Sequence, residues 1–189
     1  MHPVPDPPAR RRADAERNRE AILGAADEVL RMNPAASFED IIIATGRGRT
    51  TVYRHFPTRN HIVAALVDRA LEVVHALLEQ ARPTEPPFDA ALERMTRAAL
   101  VGGHRAWSLI TVAAGGRVPD SPPLTQIVAA ATELMRLGVT EHRLRDDIPL
   151  DWHVESYFQI LTLALRDGLG EGATEIVVDV FCGGASAAR

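Results

Sequence analysis

Between Ala44 and Asn60 the chain carries Arg47, Arg49, Arg54 and Arg59 without one acidic side chain, a local charge of +4 within 17 residues. Thr50, Thr51, Tyr53 and His55 are interleaved with these arginines. Such a set suits a phosphate backbone and the edges of bases. Arg47 and Arg49 can fork onto the paired acceptors of guanine, while Thr50 and Thr51 offer hydroxyls, or a methyl for thymine. Tyr53, His55 and Arg59 can donate to phosphate oxygens. Placed in the first turn of a helix, Arg59 would add its charge to amides that already favour an anion. A solvated basic face is the competing account of the same charges.

Other reactive side chains are scattered. His75, His104, Trp107, His142, Trp152 and His153 offer no i, i+4 pair with a carboxylate in reach, the arrangement a helical metal site needs. Ser108 and Ser156 lack a glycine-framed nucleophile elbow. Gly46-Arg47-Gly48 follows no strand and lacks the later glycines of a dinucleotide loop, so it reads as a turn. Cys182 is the only cysteine, which excludes an intrachain disulfide framework and a cysteine-rich zinc site. All 21 basic residues are Arg, and the absence of Lys removes phosphate-loop nucleotide binding and Schiff-base catalysis. No enzyme, metal site or cofactor is expected.

The elements that must position the basic segment are helical. Residues 1–10 are rich in proline (Pro3, Pro5, Pro7, Pro8) and read as a disordered arm. Ile22, Ala25, Ala26, Val29 and Leu30 mark one face of a helix over 11–32, stopped at Asn33-Pro34. Ser37, three residues before Asp40, caps a short helix from Phe38 to about Thr45. Another short helix covers Arg49 to Phe56, closed by Pro57, and Thr58 caps a long one to about Ala81. Further helices are expected over about 88–101, 103–114, 122–141, 151–167 and 173–187, the first two either separate or continuous through Gly102-Gly103. Ile176 to Phe181 reads locally as a strand, but no second strand candidate exists to pair with it. The expected class is all-α, about nine helices.

Three short helices and a long one, with the second and third joined by a glycine turn, form a helix-turn-helix pattern. Ser37-Phe38-Glu39-Asp40-Ile41, Ala44-Thr45-Gly46 and Thr51-Val52-Tyr53-Arg54-His55-Phe56-Pro57-Thr58-Arg59 resemble the DNA-binding signature of the TetR family of bacterial regulators. The spacing matches without a gap over about 13–66. The resemblance implies a DNA-binding domain over 11–57, followed by a ligand-binding and dimerisation domain over 58–189. It implies a phosphate-binding role for Tyr53 and His55, the place of the family's usual lysine for Arg59, and base contacts from Thr50 and Thr51. Four positions depart from the family pattern: Ile42 and Ile43 replace small or polar residues, Arg47 stands where a small apolar residue is usual, and Thr50 replaces a frequent glycine or small residue. The first three leave open a second reading, an all-α dimeric sensor or interaction module whose DNA binding is lost or altered.

Met95, His104, Trp107 and Thr111 are the candidates for a ligand pocket, as polar or aromatic interruptions of apolar helices. The run 151–167 is apolar nearly all round and needs cover on several sides. A homodimer interface through Tyr157, Phe158, Leu161, Leu165, Ile176, Val180 and Phe181 would supply it. The expected partners are therefore a double-stranded DNA operator, a hydrophobic small-molecule effector and a second copy of the chain. No apolar run approaches the roughly 18 residues of a membrane span, so a cytoplasmic protein is expected.

The composition fits that division. Of 189 residues 46% are hydrophobic and 24% charged, enough for a folded core. The net charge of −4 splits into +2 over residues 1–60 and −6 over 61–189. A basic head sits on an acidic body.

Overall fold

The computed structural model describes residues 8–112 and 120–185, all of whose regular elements are helices. There are eight: α1 (Pro8–Met32), α2 (Phe38–Ala44), α3 (Arg49–His55), α4 (Arg59–Gln80), α5 (Phe88–Val112), α6 (Pro122–Thr140), α7 (Leu150–Asp167) and α8 (Ala173–Ala185). The chain divides into two compact units, Met1–Leu66 with Val112–Gly116, and Val67–Thr111 with Arg117–Arg189. Because α1 begins at Pro8, residues 8–10 of the expected arm are helical. The rest of that arm lies outside the described residues.

The first unit is a small helical head. Ile22, Leu23, Ala26 and Leu30 of α1 are buried with Ile41 and Ile42 of α2, Val52 of α3, Phe56, and Ile62, Val63 and Leu66 of α4. Ile42 is only 4% exposed, so its extra bulk serves as core, whereas Ile43 points outward at 69% exposure. Burying a side chain of this size contributes about 1.5–3 kcal/mol. A capping box starts α2: the Ser37 hydroxyl accepts from the Asp40 amide at 3.1 Å, and the Asp40 carboxylate accepts from the Ser37 amide at 2.8 Å. The Ser37 hydroxyl also donates to the Asp40 carboxylate at 2.8 Å, and this bond, with that from the Ser37 amide, holds the Asp40 carboxyl below its ordinary range. The turn into α3 requires Gly46, whose φ of +60° lies in the left-handed region. Thr45 locks the turn by donating to Ile42 O at 2.7 Å and accepting from the Arg47 amide at 3.1 Å.

The second unit contains the remainder of α4 with α5 to α8. Of the two alternatives at Gly102-Gly103 the continuous one is found: one helix runs through both glycines, so the described residues form eight helices rather than about nine. The pair instead permits close approach. A Cβ at Gly102 would meet Leu77 at 2.9 Å, and one at Gly103 would meet Leu165 at 3.0 Å. The strand-like run in α8 is helical because Ala173, Val177 and Phe181 bury one face at four-residue spacing. Tyr157 sits at the centre of the core, edge-on to Phe181 at 5.6 Å, with its hydroxyl 3.1 Å from that of Thr96. Arg94 fastens the α4–α5 loop by donating to the carbonyls of Ala81, Arg82 and Glu85 at 2.8, 3.0 and 2.8 Å.

Candidate functional site

Helix α3 follows from its residue order. Val52 is fully buried and Thr51 half-buried, leaving Arg49, Thr50, Tyr53 and Arg54 on an exposed face. Tyr53 is 48% exposed, and its ring is held edge-on to Phe38 at 5.2 Å, so the hydroxyl is carried on a fixed platform. Phe56 closes the helix into the core, with the Arg19 guanidinium 5.7 Å above its ring.

The arginines of the patch are not equivalent. Arg49, the first residue of α3, is paired with Glu39 of α2. Arg47 leaves the turn and hydrogen-bonds the side chain of Asn18 on α1, so its guanidinium is tied to the head's own scaffold. Arg59 opens α4, donating from Nε to Ala36 O and from Nη2 to Pro34 O, both at 2.8 Å. A guanidinium has five N–H donors, so about three remain for an outside anion. Arg54 is exposed and, among the described residues, has no hydrogen-bond or ion-pair partner. It belongs to the basic patch, yet its identity alone gave no reason to single it out; being without a partner among the described residues is a three-dimensional property. His55 is half-buried, and its Nε2 is buried without a hydrogen-bond partner among the described residues.

In the second unit, a cavity of about 120 Å³ lies among Leu71, Val74, Met95, Ala99, Trp107 and Phe158, with further apolar neighbours. Two of the four expected pocket residues, Met95 and Trp107, are in its wall. His104 and Thr111 are exposed and do not line it, because the helix turns them away from the stripe that contains Met95, Ala99, Ala106 and Ile110. The residues assigned to a dimer interface also separate. Tyr157, Leu161 and Phe181 are buried inside the protomer, and Tyr157, Phe158, Leu161 and Leu165 line the cavity. Ile176 and Val180 alone of that group are exposed, and Trp152 and Leu163 of α7 are exposed as well. A helix apolar all round is covered here by its own unit on more sides than its sequence suggested.

His153 is buried, with Nε2 2.9 Å from Arg145 O, and is satisfied as a core side chain. Burial, reinforced by Asp89, pushes the Cys182 thiol up and away from the reactive thiolate. No group of His, Cys, Asp and Glu among the described residues is placed to hold a metal ion. No described helix is long and apolar enough to cross a membrane.

The described residues form an all-helical architecture, with a capped helix-turn-helix head and an apolar cavity in a separate helical unit. The comparisons make the class specific. No family model matches the chain. Over 85 residues it is 44% identical to the HTH-type transcriptional repressor LfrR of Mycolicibacterium smegmatis, and the match spans 45% of this chain and 45% of that repressor. The crystal structure of the TetR-like regulator LfrR from Mycobacterium smegmatis in complex with proflavine aligns with a TM-score of 0.59 at 26% identity. That alignment covers 92% of this chain and 98% of that one. A bacterial regulatory protein of the same family from Rhodococcus RHA1 aligns with a TM-score of 0.70 at 14% identity, over 91% and 98% of the two chains. The chain has the fold of these TetR-family structures.

Proposed function

We propose that this chain is a ligand-responsive transcription regulator, a homodimeric cytoplasmic repressor that holds a near-palindromic DNA operator. The observation that carries it is α3, whose outer face presents Arg49, Thr50, Tyr53 and Arg54 while Val52 anchors its inner side. Arg49 and Thr50, with Thr51 at the edge, meet bases; Tyr53, Arg54 and the spare donors of Arg59 grip phosphates. The head over residues 11–57 reads DNA, and the body over 58–189 binds ligand and a second copy. The likeness to LfrR, a transcriptional repressor with a structure in complex with proflavine, supports a ligand-responsive reading.

Dimerisation uses the outer apolar residues of α7 and α8. Ile176 and Val180 remain from the expected set, joined by Trp152 and Leu163. The two recognition helices then address half-sites about 34–36 Å apart, or a multiple of that spacing. Ligand in the cavity favours a dimer whose heads do not match the operator, with a coupling of about 1–3 kcal/mol. A ligand bound equally by both forms would shift nothing.

The test is a footprint on the DNA beside the chain's own gene, followed by a salt titration of the complex. Protection of a near-palindromic site with affinity falling steeply as salt rises is the expected result. Absence of protection, or a flat salt dependence, refutes the proposal.

A further inference from the structure

We propose that the cavity of the second unit takes a neutral, apolar molecule of one ring, and that charged molecules of the same shape are excluded. This rests on the reading of the chain as ligand-responsive and names the ligand class. The space exists because α5 puts Ala99, Gly103 and Ala106 between Met95 and Ile110, where larger side chains would fill it. Its volume of about 120 Å³ is on the scale of one ring, given that a cavity of about 150 Å³ lined by aliphatic and aromatic side chains takes benzene. Trp107 and Phe158 supply aromatic surfaces against which a ring can pack edge-on or offset.

The walls also decide charge. Among the described residues no Asp, Glu, Arg or His lines the cavity. A cation or anion entering it would leave water with no counter-ion to meet it. The lining residues that carry a polar side-chain group are Tyr157, Thr162 and Trp107. The Tyr157 hydroxyl is already engaged with Thr96, and burial pushes its phenol up to about 12, so it stays uncharged at neutral pH.

Calorimetric titration of the full chain with toluene, benzylammonium, benzoate and naphthalene tests this directly. Toluene should bind once per chain, with both ions weaker by about a hundredfold or more. Naphthalene should bind weakly to the unaltered chain and better to Leu161→Ala, which enlarges the space. Ala99→Phe should abolish toluene binding while circular dichroism stays helical; if that variant does not fold, Ala106→Leu makes the same test. Binding of either ion within about tenfold of toluene, naphthalene bound as tightly as toluene by the unaltered chain, or no binding of toluene, each overturns the proposal. DNA release is measured separately. A chain that binds toluene but no DNA sinks the regulator reading and keeps this one, and a regulator released by benzylammonium does the reverse.

Discussion

Arg59 performs two tasks with one guanidinium. Two of its donors tie the α1–α2 loop to the start of α4, leaving the others free to face an anion. Arg59→Ala should therefore destabilise the head by about 1–2 kcal/mol, read by chemical denaturation, and weaken binding to every duplex about equally. Arg54→Ala separates the two effects: no hydrogen bond or ion pair with a described residue is lost, so the expected outcome is weaker DNA binding and a smaller salt slope with an unchanged denaturation midpoint. The patch was legible in the sequence as four arginines without an acid. Their division of labour was not, because the partners of Arg59 are backbone carbonyls that converge only when the loop has folded. Asn18, the partner of Arg47, lies 29 residues away in the chain. Buried pairs such as Thr96 and Tyr157 escape notice for the same reason. Tyr157→Phe removes one hydroxyl and strands the other, a loss of about 1–3 kcal/mol visible as a lowered melting temperature.

At the scale of elements, the head was the readable part. Caps, a turn glycine and a short amphipathic helix are local signals, and Ser37, Gly46 and Val52 state them in the order in which the chain uses them. Ser37→Ala should cost about 1 kcal/mol, because the capping box of α2 loses its hydroxyl. The same box sets an acid limit. Asp40 is held below its ordinary value of 3.8, so its contribution is fully present above that pH. It is lost as the pH falls through the lower folded value. An acid titration of stability should show this loss in the parent and not in Asp40→Ala. The body was harder to read, and Gly102-Gly103 shows why. Glycine marks both a break and a close approach, and only the positions of Leu77 and Leu165 decide between them. Gly103→Val should accordingly disturb the packing of α5 on α7, while Gly24→Ala, where a Cβ meets nothing within 4 Å, should be tolerated or stabilising.

At the scale of the whole molecule, periodicity reports that a side chain is apolar without saying what covers it. Tyr157, Leu161 and Phe181 looked like surface for a partner but belong to the interior, and the outward residues are Trp152, Leu163, Ile176 and Val180. Val180→Asp, at a position 57% exposed in the single chain, should leave the fold intact and shift the protein toward monomer in sedimentation velocity. A monomer that still occupied a full operator with unchanged affinity would count against the dimeric reading. The charge balance belongs to this scale too: the acidic body keeps the molecule net negative while the head carries the positive end.

The placement of the two tryptophans gives the molecule an optical readout of its own. Trp107 lines the cavity, and Trp152 stands on the outer surface of α7 at 69% exposure. Trp107 is half-buried, so their emission should divide accordingly, a bluer component less open to aqueous quencher and a red one fully open to it. Cavity occupancy would alter the first and coverage of α7 the second, so one spectrum of the unlabelled protein distinguishes filling from association.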